Sequence, residues 1–454
     1  MKTAIIGAGI TGLTCAHKLH RQGNEVLVLE SQERVGGVIQ TELNDGFLVE
    51  HGPNSLLLDE IDLSNYFDEL GLTNQITKAN PHSRKRFIVR DSNLLALPLS
   101  PLSLLTTRAF SFAAKLRLIR EFSIPSLENP ESLSVASFFK QRLGEEIFTY
   151  AGDPFVSGVY AGDPEKLSAS HAFPRMLELE QKHGSILKGF IKKARARQKD
   201  PDAPKRQLIN FQDGMESLPK VLMEKIRKEN IHTGISLNNI TRDNNTWKIA
   251  WDDTNGESCE DTFERLIITV PAHAIPGLPF HFDSSDALQP LAKIPHPPIA
   301  CASLGFRRTQ VKHPLDGFGV LVPSSEGKNL LGAIFASTLF PGRAPDDHVL
   351  IQCFLGGARN PAIGQLETGD LLEILLPELS RMLGIYGSPV FVDVKKWAKS
   401  IPQCNLGHER FLEALEAVEN KNPGLTFAGS YRNGVSVGQC IRAGWAAAQI
   451  QEQS

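Results

Sequence analysis

The first thirty residues hold two short apolar runs around one helical repeat. Residues 2–6 (KTAII) and 25–29 (EVLVL) are compact and rich in β-branched residues, as buried strands are. Between them, residues 10–22 (ITGLTCAHKLHRQ) place Ile10, Leu13, Ala16 and Leu19 on one helical face, and Gly23 suits the helix end. The pattern predicts a βαβ unit. Residues 31–60 are loop-rich, and 61–72 read as a helix. From 98 to about 200 the period is helical. LPLSPLSLLTTRAFSFAAKLRLIREF interleaves apolar residues with Arg108, Lys115, Arg117 and Arg120, and 134–149 and 171–197 read as further helices. Residues 191–206 form a basic run ending in a Pro-containing linker. From 207 strands return at 235–240, 246–251 and 263–272, then at 300–306, 317–323, 330–336 and 349–355. They suggest an antiparallel sheet in a second domain. A helix is expected over 369–383, a strand over 390–394, and a closing strand at 425–429 followed by a helix over 438–451.

Composition narrows the function more than the fold. The 454 residues are 41% hydrophobic and 22% charged, ordinary for a soluble globular protein. The formal net charge of −3 argues against nucleic acid as a partner, because phosphate-binding chains are usually basic. The six cysteines, Cys15, Cys259, Cys301, Cys353, Cys404 and Cys440, form no C-x-x-C pair and fit a reducing compartment. The 13 histidines show no metal-ligand spacing, so no metal is expected. No signal peptide and no spanning helix are expected, which points to a cytoplasmic chain.

The chemistry begins at Gly7-Ala8-Gly9-Ile10-Thr11-Gly12, between the first strand and the first helix. Gly7 permits a tight turn, Gly9 lets backbone approach a pyrophosphate, and Gly12 lets the helix pack closely on the strand. The helix N-terminus offers N–H groups and partial positive charge to the anion. Glu30, closing the second strand, can accept from ribose hydroxyls. In Glu33-Arg34-Val35-Gly36-Gly37 the glycine pair can pass against a flat ligand, and Arg34 can pair with phosphate. A second small-residue turn follows at Glu50-His51-Gly52-Pro53-Asn54-Ser55. Near the C-terminus, Gly434, Gly438, Ala443, Gly444 and Ala446 to Ala448 would let a helix approach a ring system, with Val435-Ser436-Val437 at its start.

GAGITGL, ERVGG and HGPNS in this order resemble the FAD-dependent amine oxidase superfamily. FQDGMESLP (211–219), IITVPA (267–272) and LTFAGSYRNGVSVGQCIRAGWAAA (425–448) resemble its later landmarks. Within it, PFVSGVYAGDP (154–164), LFPGRAP (339–345) and IPQ with LGH (401–408) resemble the oxygen-dependent protoporphyrinogen oxidases, although Cys404 stands where many relatives carry Tyr.

The resemblance implies an α/β fold: a Rossmann-type FAD-binding domain (1–80, 207–295 and 392–454), an antiparallel-sheet substrate domain (81–97 and 296–391) and a helical, membrane-associating insertion (98–206). It implies non-covalent FAD held by Gly7 to Gly12, Glu30, Ser31, Arg34, Gly37, Val38, Gly52, Pro53, Asn54, Ser55, Leu237, Trp397, Val435, Ser436 and Val437. For substrate it implies Arg86 on a propionate and Leu321 and Phe340 on the macrocycle. The implied reaction removes six electrons from protoporphyrinogen IX, with dioxygen as acceptor and three peroxides formed. Coproporphyrinogen III is the alternative substrate; an amine oxidase or an idle FAD scaffold is less favoured. No residue is assigned to catalysis, because the chemistry centres on flavin. A membrane surface on the inner face of the plasma membrane, a next-step chelatase and a second copy are the partners this implies.

Overall fold

The computed structural model describes residues 1–198 and 206–449. Residues 199–205 of the expected linker, and the last positions of the expected C-terminal helix, lie outside the described residues.

A five-stranded, wholly parallel sheet runs in the order Ile231–His232, Glu25–Leu29, Lys2–Ile6, Arg265–Ile268, Leu425–Phe427. Its strands are apolar along their length because both faces are covered. On one face Ile5 and Val28 pack with Leu13 and Leu19 of helix Ile10–Arg21, with Leu218 and Leu222, and with Ile441. On the other, Ala4, Ile6 and Ile268 meet Trp247, Ile249 and Phe263 of a four-stranded sheet, and Leu415 of helix Glu409–Lys421. The expected βαβ unit is present, from Lys2–Ile6 through Ile10–Arg21 to Glu25–Leu29.

A seven-stranded sheet runs Phe391–Trp397, Ile299–Arg307, His348–Gly356, Leu330–Ile334, Gly319–Leu321, Arg86–Arg90, Asn93–Ala96. It is antiparallel except where Gly319–Leu321 pairs in parallel with Arg86–Arg90, so the expectation of an antiparallel sheet needs that correction. One face is core: Phe87, Val89, Ala302, Leu304, Val320 and Cys353 pack with Leu371, Leu375, Leu379 and Met382 of helix Thr368–Leu383. The alternate residues make the opposite face.

The region 98–198 is helical but more broken than its apolar period suggests. Ser111 caps a fresh helix, Phe112–Arg120, after the short Pro101–Thr106, and Gly184, at φ 66°, separates Pro174–His183 from Ile186–Gln198. The region has its own apolar cluster around Phe138, Phe139, Phe148 and Leu177. Beside that cluster Arg142 is fully buried between Glu121 and Glu180, 2.5 and 3.3 Å from their carboxylates. Among the described residues no helix is long and apolar enough to cross a membrane.

Candidate functional site

The glycine loop follows strand Lys2–Ile6 and ends on helix Ile10–Arg21. Gly7 has φ 105°, a turn that glycine adopts without strain. A Cβ on Gly12 would stand 2.0 Å from Gly7 O and 2.7 Å from Thr269 Oγ1, so the helix can sit on the sheet only with glycine there. A Cβ on Gly9 would meet no protein atom within 4 Å. That open space at the start of a twelve-residue helix fits a pyrophosphate. Ala8 is fully buried, Ile10 and Thr11 nearly so. Glu30 Oε2 accepts from Ala8 N at 2.6 Å, and its Oε1 from Gln32 N at 2.9 Å and Ser31 Oγ at 3.4 Å. The carboxylate thus stands at the mouth of the loop. Leu237 is the second residue of strand Ser236–Asp243 next to this corner, where Ile235 N donates to Glu30 O at 3.1 Å.

The other two turns dock on this loop. Gly36 N donates to Ala8 O at 2.8 Å, and a Cβ on Gly37 would lie 3.3 Å from Gly9 Cα. Arg34 departs from expectation. It donates to Val35 O and Ile39 O at 3.2 Å, to Gly37 O at 2.5 Å and to Gln40 Oε1 at 3.4 Å. Its guanidinium is spent on shaping the turn rather than on a phosphate. The 52–55 turn closes on Val38, whose carbonyl oxygen lies 1.9 Å from a Cβ built on Gly52; the Val38 side chain is exposed. Pro53, Asn54 and Ser55 are half-buried, and Asn210 Nδ2 donates to Asn54 O at 2.8 Å.

The C-terminal helix Val437–Ala447 also differs from expectation. Ser436 caps it through Gln439 N at 3.3 Å, next to half-buried Val435. Its small residues serve helix–helix packing: a Cβ on Gly444 would stand 2.1 Å from Thr14 Oγ1 and 2.5 Å from Thr11 O. Gly444 thus fits this helix against helix Ile10–Arg21.

The opposite face of the seven-stranded sheet gathers the substrate candidates. Strand register makes one row of Arg86, Gly319, Ile334, Gln352, Ser303 and Asp393. The next row on the same face is Ile88, Leu321, Gly332, Phe354, Cys301 and Lys395. Ile299, Gly356 and Trp397 follow. Leu321 and Cys301 are three strand spacings apart, about 14 Å at ~4.8 Å each, with Gly332 and Phe354 between them. Helix Asp153–Tyr160 closes on this face at Gly158, where a Cβ would lie 2.4 Å from Leu321 Cδ2. Arg86 is exposed, stacks over Phe318 at 5.0 Å and has no ion pair among the described residues, whereas Lys85 pairs with Asp316 and Arg90 with Glu146. An open cavity of ≈ 260 Å³, lined by His296, Pro297, Ala358 and Gln403 among others, lies past the Trp397 end.

Phe340 does not join that face. It is 2% exposed, lies 5.7 Å from the Arg343 guanidinium, and borders only a ≈ 10 Å³ cavity, so it is a core residue. Phe354, like Trp397, is an aromatic that shares the face with Leu321, and it clusters with Ala161, Cys301 and Trp397. The sequence signal for it was strand alternation through 349–355, which orders the two faces but does not say which is core.

Trp397 Nε1 donates to His51 O at 2.8 Å, joining this sheet to the 52–55 turn. His51 is 4% exposed, and its Nε2 lies 2.8 Å from Asp393 Oδ1 and 3.8 Å from Glu42 Oε2. The shorter distance is a hydrogen bond between imidazole and carboxylate. Spacing in the sequence did not reveal this group.

The model of the family described as "Flavin containing amine oxidoreductase" matches residues 10–450. Protoporphyrinogen oxidase 2, chloroplastic/mitochondrial, of Arabidopsis thaliana is 32% identical over 99% of this chain and 93% of its own length. Coproporphyrinogen III oxidase of Bacillus subtilis is 27% identical over 98% of this chain and 96% of its own. The crystal structure of a putative protoporphyrinogen oxidase from Exiguobacterium sp. 255-15 superposes with a TM-score of 0.81, covering 98% of this chain and 97% of that one at 24% identity. The open space at Gly9, the Glu30 carboxylate and the docked 36–37 turn fit the FAD that this family carries. The chain belongs to the flavin containing amine oxidoreductases and, within them, to the protoporphyrinogen oxidases.

Proposed function

We propose that this enzyme oxidises protoporphyrinogen IX to protoporphyrin IX, passing six electrons in three steps to three dioxygen molecules and releasing three hydrogen peroxides. The observation that carries the reading is identity of about 32% with a plant protoporphyrinogen oxidase along 99% of the chain. Bound FAD supplies the hydride acceptor and the route to dioxygen. The residues orient and enclose the substrate. Leu321 and Phe354 offer apolar contact to the macrocycle, and Arg86, which has no ion pair among the described residues, meets a propionate. The flavin stays non-covalent. Cys404, the nearest cysteine by resemblance, donates its thiol to Tyr431 O, and burial pushes its pKa up to about 12, so it is not a ready nucleophile.

One observation favours coproporphyrinogen III as a second reading: Lys395 is a further cation on the same face, half-buried over the Trp397 ring at 5.1 Å. Turnover of each porphyrinogen, followed by porphyrin fluorescence and peroxide release, decides. A higher kcat/KM for protoporphyrinogen IX is expected; equal or greater use of coproporphyrinogen III overturns the assignment.

The reading extends to peripheral attachment at the inner face of the plasma membrane, with delivery to a next-step chelatase and a second copy as partner. Phe112, Leu116 and Ile119 are 76%, 47% and 58% exposed on one face of helix Phe112–Arg120, with Leu105 nearby at 62%. Such a helix suits an interface rather than a span. Arg117 does not point to lipid: it donates to Arg142 O and Gln141 O at 3.1 and 2.6 Å. The informative variant is therefore Phe112→Ser with Leu116→Ser and Ile119→Ser. Wild type should float with anionic liposomes and the variant should not; equal behaviour removes the membrane reading.

A further inference from the structure

We propose that Glu42, His51 and Asp393 form a binding site for a divalent cation of the zinc class, which ties a hairpin to the seven-stranded sheet. The site is independent of the porphyrinogen reading and stands or falls without it. Its donors come together only in the fold: His51 and Asp393 are 342 positions apart, so no spacing along the chain marks them.

The frame around the donors is fixed. Glu42 sits on strand Thr41–Asn44, opposite Val49 of strand Phe47–Glu50, and His51 follows that strand directly. This hairpin docks on strand Phe391–Trp397, where Phe47 stacks on Phe391 with ring centroids 4.6 Å apart. His51 is held through its backbone on both sides. Its N–H donates to Gln40 O at 2.9 Å, and its carbonyl accepts from Trp397 Nε1 at 2.8 Å. Asp393 reaches the imidazole from the same strand as Trp397.

Three ligand atoms converge there. His51 Nε2, one oxygen of Glu42 and one of Asp393 all lie within 4.8 Å of one another. Nε2 is 2.8 Å from Asp393 Oδ1 and 3.8 Å from Glu42 Oε2. Zinc takes nitrogen and oxygen ligands at about 2.0–2.2 Å, so two of them stand at most about 4.2 Å apart. Both distances from Nε2 fall inside that limit. The side chain of Glu42 is 47% exposed, so the small swing that brings its oxygen within reach of Asp393 meets little resistance.

The charges call for a cation. Among the described residues, His51 Nε2 is the one hydrogen-bond or ion-pair partner that either carboxylate has. A neutral imidazole carries a single N–H. From Nε2 it donates to Asp393 at 2.8 Å, and Glu42, at 3.8 Å, is beyond hydrogen-bond length. Two carboxylates thus share one donor. A divalent cation in place of that proton meets all three groups at once and balances both negative charges. Entry is from the carboxylate side, since Asp393 is 21% exposed and water can complete the coordination there. One imidazole nitrogen with two carboxylate oxygens suits a borderline ion such as Zn²⁺ rather than Mg²⁺ or Ca²⁺, which take oxygen ligands.

Calorimetric titration of the chelator-treated holoenzyme with Zn²⁺ tests this. One equivalent should bind, and Mg²⁺ at the same concentration should not displace it. Glu42→Gln and Asp393→Asn each remove a ligand and leave the backbone contacts of His51 in place. Each should weaken Zn²⁺ binding by more than the roughly 10–100-fold that loss of an outer partner costs at a metal site. Saturating Zn²⁺ should raise the Tm of the wild type and leave that of Glu42→Gln unchanged. X-ray absorption at the zinc edge of the one-equivalent complex should show only nitrogen and oxygen ligands, at about 2.0–2.2 Å. No saturable binding of one Zn²⁺, an affinity in Glu42→Gln within about threefold of wild type, or a sulfur ligand overturns the inference. Zinc held equally by all three proteins is adventitious binding at surface histidines and overturns it as well.

Discussion

Gly9 and Gly12 lie three residues apart, and an added methyl group harms each in a different way. At Gly12 the methyl would sit 2.0 Å from a backbone oxygen, so helix Ile10–Arg21 must lift off the sheet. At Gly9 it would meet no protein atom within 4 Å. Gly9→Ala should therefore leave the FAD-free protein with an unchanged Tm and weaken FAD binding by roughly 100-fold, through contact with the pyrophosphate. Gly12→Ala should lower the Tm of the FAD-free protein as well. Equal Tm losses would contradict the separate roles. Glu50 supplies a second test. It is 4% exposed, and burial raises its pKa against the lowering effects of Thr41, Asn210 and Met215 N. A raised folded-state pKa favours the protonated acid, so the stability it contributes is present at low pH and is lost as pH rises through the folded value. Glu50→Gln should thus gain in Tm relative to wild type as pH is raised from about 4.5, the ordinary glutamate range. A constant difference would show that burial does not raise the carboxyl's pKa in the fold. The glycine roles were legible because motif, strand and helix fell in one short segment. Phe340 was not legible as core, nor Phe354 as site, because both are phenylalanines in apolar runs and only strand register separates them.

At the scale of elements, the short strands and the first helix stand where hydrophobic period put them, because local pattern and tertiary burial agree there. The parallel pairing of Arg86–Arg90 with Gly319–Leu321 could not be read, since partners so far apart in sequence leave no local trace. The insertion was over-read as long helices. Its breaks come from side-chain caps at Ser100 and Ser111 and from Gly184, signals weaker than the apolar period that surrounds them. What ties these short helices together is polar. Arg142 donates to Glu121, to Pro125 O at 2.9 Å and to Gly184 O at 3.0 Å, while Glu180 accepts from Leu127 N at 2.9 Å. Removing the cation leaves two buried carboxylates without their charge partner. Arg142→Met should then cost about 3–5 kcal/mol, the usual penalty for breaking a buried pair from one side. A triple change of Arg142→Met, Glu121→Leu and Glu180→Leu should recover much of the loss. Urea unfolding of the three proteins checks this; a loss below about 1 kcal/mol in the single variant would mean that water reaches the hub.

At the scale of the whole molecule, two sheets must hold one orientation for the dinucleotide loop and the site face to serve the same flavin. A histidine pair sits at that junction. His273 follows strand Arg265–Ile268 of the parallel sheet, and His296 precedes strand Ile299–Arg307 of the seven-stranded one. Their rings meet edge to face with centroids 4.6 Å apart. His296 Nδ1 bonds Ile294 O at 2.9 Å, while His296 Nε2 and His273 Nδ1 have no partner. Burial, then the charges of His296 and Lys399, push the His273 pKa down to about 4, and burial lowers that of His296 as well. Both rings are therefore neutral when folded at neutral pH. The sign follows from the unfolded chain, which binds protons near pH 6.5 where the folded one does not. The stability contributed by neutral His273 is full above about pH 6.5 and is lost as pH falls toward about 4. Melting of the holoenzyme, followed by circular dichroism and by flavin release, should show Tm falling through that window. His273→Gln, which cannot take a proton, should make the fall shallower by up to one proton's worth of slope, about 1.4 kcal/mol per pH unit. Because the pair lies between the two sheets, flavin release should follow the same curve as loss of ellipticity. A wild-type Tm that is flat from pH 6.5 to 4.5, or a variant with an unchanged slope, would place the acid sensitivity elsewhere in the molecule.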